Sequence, residues 1–182
     1  MMHCTDVKVK KRKILIWTES LLLAFLPLLF IYVKCGVYFE MNDDRMINEI
    51  LTGVLTGSPD GHAIFLNYLL GGFLAFLYSL AGDIPWFGLL LVGSHLAVYW
   101  CFFGILLERS RGLYQHVLGV FCGLFLICSN LYIFGEIQYT STAALLAAGG
   151  YFCLVFDKSK YRRFILLEGF SFWLCCCAVR PC

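Results

Sequence analysis

Two adjacent carboxylates, Asp43 and Asp44, open the run Asp43-Asp44-Arg45 directly after Asn42. Neighbouring like charges raise the pKa of one carboxyl in such a pair, and burial raises it further. A carboxylate tuned in this way can take a proton from an acceptor hydroxyl. The groups that would complement it are spread along the chain: Arg45, His62, Glu136, Gln138 and Arg180. A departing phosphate needs positive charge or N–H donors, and the planar fork of arginine matches its oxygens. Arg45, His62 and Arg180 therefore suit phosphate binding, and Glu136 and Gln138 could complete the same pocket. The acidic pair, Arg45, Glu136 and Gln138 also have a plainer explanation. Acids favour the first turn of a helix, Arg45 has Glu49 four residues on as an ion-pair partner, and Glu136 and Gln138 can satisfy a helix end. Asp43 and Asp44 remain equivalent as candidate bases. The 10 cysteines show no CxxC pair and no zinc-type spacing with histidine, so no metal and no cofactor is expected.

These residues must be positioned by a very apolar chain. Of its 182 residues, 60% are hydrophobic and only 14% charged, against roughly 45–50% and about 25% in soluble domains. That composition excludes a soluble globular protein and a disordered one. Nucleic-acid binding has no support, because most basic residues adjoin apolar spans. The expected fold is all-α and polytopic. A basic tail over 1–13 precedes a single membrane domain over 14–182. Five stretches have the length or near-length of a span: 14–38, 85–107, 114–134, 137–156 and the short 164–179. A sixth apolar stretch, 62–81, carries His62, Asn67, Gly71, Gly72 and Ser79 and is the weakest candidate.

Charge decides whether 62–81 crosses. Lys8, Lys10, Lys11, Arg12 and Lys13 place the N-terminus in the cytoplasm by the positive-inside rule. If all six stretches cross, Arg109, Arg111, Lys158, Lys160, Arg162 and Arg163 fall outside. If 62–81 does not cross, all six become cytoplasmic and only Arg45 and Arg180 stand opposite, with Lys34 snorkelling outward. The second arrangement fits the rule better. It leaves 39–84 as an external loop with two interfacial helices, over 43–55 and 62–81, and locates the chain in the cell membrane as a multi-pass protein. In the first of these helices Ile47, Ile50, Leu51 and Val54 repeat with the helical period.

This order of elements resembles the GT-C superfamily of membrane glycosyltransferases. In that superfamily a first span leads into an external loop with an acidic pair near its start and two juxtamembrane helices before the second span. Asn42-Asp43-Asp44-Arg45 stands at the acidic-pair position, and 46–55 and 62–81 match the juxtamembrane helices. Gly135-Glu136-Ile137-Gln138-Tyr139-Thr140 is similar to a polar motif of some relatives, and Arg180-Pro181 to a basic residue and proline that others carry. The resemblance covers the whole chain but only the N-terminal portion of such an enzyme, so a truncated product is expected. It implies an inverting hexosyltransferase that moves a sugar from a polyprenyl-phosphate donor, held in the membrane lipid, to an envelope glycan or lipid acceptor. Asp43 or Asp44 would be the catalytic base.

Two other classes stay open. A transporter or flippase component would use Glu19, His95 and Glu168 as path residues, since intramembrane ionisable groups mark function by default. A non-catalytic membrane subunit would use none of these groups chemically. His95 is expected to be hydrogen-bonded between helices, and Gly71-Gly72 and Gly149-Gly150 to mark close packing.

Overall fold

The computed structural model describes residues 2–36, 38–39, 42–63, 66–130 and 135–156. The expected helix over 164–179 and Arg180 lie outside the described residues. Among the described residues the chain is helical, with six helices and one two-residue strand pair. The order is α1 (Met2–Cys35), β1 (Tyr38–Phe39), α2 (Asn42–Thr52), α3 (Tyr68–Leu80), α4 (Trp86–Arg109), α5 (Leu113–Ser129), β2 (Glu136–Ile137) and α6 (Tyr139–Phe156).

Among the described residues three helices are long and apolar enough to cross a membrane: α1 over Lys11–Cys35, α4 and α6. Their outward faces are apolar as well. In α1, Ile16, Ser20, Ala24, Leu28 and Ile31 are buried, while Leu22, Phe25, Leu26, Leu29, Phe30 and Val33 are exposed. The buried set repeats every three to four residues, as one face of a helix must. α5, with 17 residues, is shorter than the predicted 114–134. Five spanning helices are the expectation, and among the described residues three meet both length and composition.

The long helices pack around α4. Arg12 donates to the Ser110 carbonyl at 3.3 Å, Lys13 lies 3.5 Å from Glu108, and Trp100 donates to the Trp17 carbonyl at 3.0 Å. Higher in the bundle Tyr32 meets His95. Residue numbers rise along α1 as they fall along α4, so the two run antiparallel. Against α6 the numbers rise together: His95 meets Thr142, Phe102 meets Phe152, and Arg109 donates to the Phe156 carbonyl. α4 and α6 are therefore parallel. Gly119 faces Leu107 and Gly123 faces the Phe103 ring, which makes α5 antiparallel to α4.

The antiparallel α1–α4 pair means that the chain between them leaves and re-enters the bundle at the same end. The length of α3 agrees. Its 13 residues reach about 20 Å at 1.5 Å per residue, short of the roughly 30 Å hydrocarbon layer.

Several boundaries differ from expectation, each for a local reason. α1 stops at Cys35 rather than running to 38, because Gly36 takes φ 75°, the left-handed turn that glycine supplies after a helix. Tyr38 then enters a strand. α2 stops at Thr52, and Val54 lies exposed in the turn beyond it. Helix is predicted over 62–81 but starts only at Tyr68, where the Asn67 side chain accepts the Leu69 N–H at 2.9 Å as an N-cap. Gly61 meanwhile lies against the Gly71–Gly72 backbone, an approach that leaves no room for a Cβ on Gly61 or Gly71, whereas Gly72 faces open space.

Two cores result. One lies in the bundle, around Ala24, Leu28, Ile31, Tyr99, Phe103 and Ile127. The other sits at the end where α2 and α3 pack, and includes Ile47, Leu51, Leu74, Phe87 and Ile137.

Candidate functional site

α2 separates the two carboxylates. Asp44, Ile47 and Leu51 fall on one helical face, at i, i+3 and i+7. All three are buried, with Asp44 3% exposed. Asp43 lies off that face and is exposed. The inward direction of Asp44 points it at the start of α6, where its Oδ1 accepts the Tyr139 N–H at 2.9 Å. This N–H is one of the first-turn donors that a helix cannot satisfy internally. A carboxylate there pairs the donor and sits at the positive end of the helix dipole.

The same junction is bound a second way. β1 and β2 pair in parallel, Tyr38 beside Glu136 and Phe39 beside Ile137. The Tyr38 hydroxyl donates to Glu136 Oε1 at 2.5 Å, within the range of a charge-assisted O–H···O bond. Asp44, Glu136 and Gln138 thus lie near one another where α1 ends and α6 begins.

The remaining candidates have local partners. Arg45 pairs with Glu49 at 2.9 Å, the i, i+4 contact open to it from sequence. His62 donates its backbone N–H to Asp60 Oδ1 at 2.9 Å, and its Nδ1 lies 2.7 Å from the same oxygen. The His62 N–H groups hold the Asp60 carboxyl below its ordinary value of 3.8. The His62 ring also tilts over Tyr68, with centroids 4.9 Å apart.

Behind α2, Tyr78 ties three elements together. Its hydroxyl donates to Asn48 Oδ1 at 2.9 Å and accepts the Phe87 N–H at 3.0 Å. Burial raises its phenol pKa above the usual value, and the Phe87 N–H opposes that shift.

Sequence patterning missed Tyr139, Tyr38 and Thr142. Tyr139 contributes a backbone N–H, and Thr142 returns its hydroxyl to the Gln138 carbonyl at 2.8 Å; neither leaves a mark in composition. The burial of Asp44 did leave a signal, because it shares the helical phase of Ile47 and Leu51. His95 is fully buried and bridges helices, 3.0 Å from the Thr142 hydroxyl. Glu19 pairs with His116 at 2.7 Å, so two of the three candidate path residues are engaged between helices. Among the described residues no group of three or more His, Cys, Asp or Glu side chains gathers as metal ligands. Comparison with protein-family models, curated proteins and solved structures finds no match for the chain.

Proposed function

We propose that this chain is a multi-pass protein of the cell membrane whose α2–α3 end faces outward and serves glycosyl transfer from a lipid-phosphate donor. Lys8, Lys10, Lys11, Arg12 and Lys13 in the first half of α1, Arg109 at the end of α4 and Arg111 just beyond it share one end of the bundle. The positive-inside rule makes that end cytoplasmic. On this reading α5 also crosses, helped by its exposed Val117, Leu118, Phe121 and Phe125. α3 lies in the outer interface, with Leu69, Phe73, Phe76 and Leu80 turned outward.

The observation that carries the enzymatic reading is the Asp44–Tyr139 bond. It joins the acidic pair to the Glu136–Gln138 turn and leaves Asp43 exposed beside it. Asp43 is then the base that takes the acceptor proton, and Asp44 is the anchor that positions it. Arg45 and His62 offer positive charge or N–H donors to the leaving phosphate.

A second reading has its own support. Arg45, His62, Asp44 and Glu136 each have a partner within the protein, as in a non-catalytic subunit. One experiment separates the two. In host cells lacking the chain, the lipid-linked sugar donor should accumulate, and the wild-type chain should restore its consumption. Asp43→Asn at equal abundance should lower that consumption about 100-fold or more, the usual loss with a general base. Full restoration by Asp43→Asn would remove the enzymatic reading and leave the subunit.

A further inference from the structure

A line of polar groups runs through the apolar bundle and ends at Asp44. The Tyr32 hydroxyl lies 3.4 Å from His95 Nδ1, and His95 Nε2 lies 3.0 Å from Thr142 Oγ1. Thr142 Oγ1 donates to the Gln138 carbonyl at 2.8 Å, and the Tyr139 N–H donates to Asp44 Oδ1 at 2.9 Å. The Gln138 carbonyl and the Tyr139 N–H belong to one planar peptide unit. The line therefore passes through a single resonant group without a break.

The direction of each bond follows from counting protons. The Gln138 carbonyl also accepts the Thr142 N–H at 3.0 Å and the Ser141 hydroxyl at 3.1 Å. The single Thr142 hydroxyl proton is placed on that carbonyl because it is the nearer acceptor, 2.8 Å away against 3.0 Å to His95 Nε2. With the proton there, Thr142 can only accept toward His95, and Nε2 carries a proton. A neutral ring then has Nδ1 as its acceptor, and Tyr32 donates to it across the longest link. Every proton in the line points toward the Asp44 carboxylate. A hydrogen bond received at a peptide oxygen strengthens the one given by its N–H.

We infer that His95 is a positioning residue, held as the neutral Nε2–H tautomer, that acts through Thr142 and the Gln138–Tyr139 peptide to orient the Asp44 carboxylate. α1, α4 and α6 each contribute to this line, so the setting of Asp44 reports the packing of the bundle below it. Any bearing on catalysis rests on the glycosyl-transfer reading; the direction of the protons does not.

Nuclear magnetic resonance on the full chain in lipid nanodiscs tests it, with ¹⁵N-labelled histidine and tyrosine. The His95 ring should carry a proton on Nε2 alone. Thr142→Val should move the Tyr139 amide proton upfield and speed its hydrogen exchange about two- to fivefold. Thr142→Ser, which keeps the hydroxyl, should restore both. His95→Gln places an amide donor where Nε2 stood and should behave like wild type, whereas His95→Leu should resemble Thr142→Val. A proton on Nδ1, a doubly protonated ring, or a Tyr139 amide unmoved in a folded Thr142→Val protein would overturn the inference. If Thr142→Val does not fold, the tautomer in the wild-type protein decides alone. Sugar transfer assayed on the same variants keeps the questions apart: no transfer with the expected tautomer removes the functional reading and leaves this one standing.

Discussion

The two ends of the bundle hold their polar groups in opposite ways. At the α2–α3 end short side chains and backbone make the buried bonds: Asp44 with the Tyr139 N–H, Tyr78 with the Phe87 N–H, and β1 with β2. At the other end long side chains reach across open ground. Lys13 meets Glu108 with 57% of the lysine side chain exposed, and Arg12 and Arg109 lay their guanidinium groups on the Ser110 and Phe156 carbonyls. A buried donor that loses its partner has no water to turn to, whereas an exposed ion pair trades one solvated state for another. The first end is therefore built to fix geometry. The second concentrates positive charge, which requires no fixed contacts.

The contrast breaks first at Asp44. Asp44→Ala leaves the Tyr139 N–H buried without its carboxylate and should destabilise the protein by about 1–3 kcal/mol. Asp44→Asn keeps an acceptor and should cost about 1 kcal/mol or less. Unfolding titrations in mixed detergent micelles would give both values. Lys13→Ala at the opposite end should fall within about 0.5 kcal/mol of wild type in the same titration. A larger loss for Lys13→Ala than for Asp44→Ala would reverse the comparison.

The smallest effect is a pH response confined to Asp60 and His62, at the geometry-fixing end but on its surface. The Asp60 carboxyl is held below 3.8 in the folded chain by the His62 N–H groups. The contact is then fully favourable above that value and is lost as pH falls through the lowered one. The His62 ring protons should follow this titration in a magnetic resonance spectrum. A midpoint at or above 3.8 would show that the contact does not favour the carboxylate.

Periodicity and hydropathy reveal the helices in this sequence because helix formation in apolar segments is local. Predicted 85–107 becomes Trp86–Arg109, and 137–156 becomes Tyr139–Phe156. α1 and α4 run antiparallel, a course compatible with the path that charge parity favours. What local pattern could not supply is pairing across distance. Nothing near Asp44 names Tyr139, because the partner atom is a main-chain N–H common to every residue but proline. Nothing near Tyr38 names Glu136 for similar reasons of separation. Asn67 was visible as a polar residue in an apolar run, and its role as the cap of α3 needs only its place before Tyr68. The glycosyl-transfer assignment rests on resemblance and on the Asp44 junction, and the Asp43 assay is its test.

The sequence separation of the Asp44 junction also has a consequence in time. The Asp44–Tyr139 bond spans 95 residues and the Tyr38–Glu136 bond spans 98. A ribosome adding about 5–20 residues per second needs roughly 5–20 seconds to bridge such an interval. Throughout that interval α2 exists while the start of α6 has not yet been made. The α2–α3 face is thus among the last parts of the described fold to close, and a nascent chain halted before Gln138 would carry Asp44 on an unfinished surface, within reach of whatever factors attend membrane insertion.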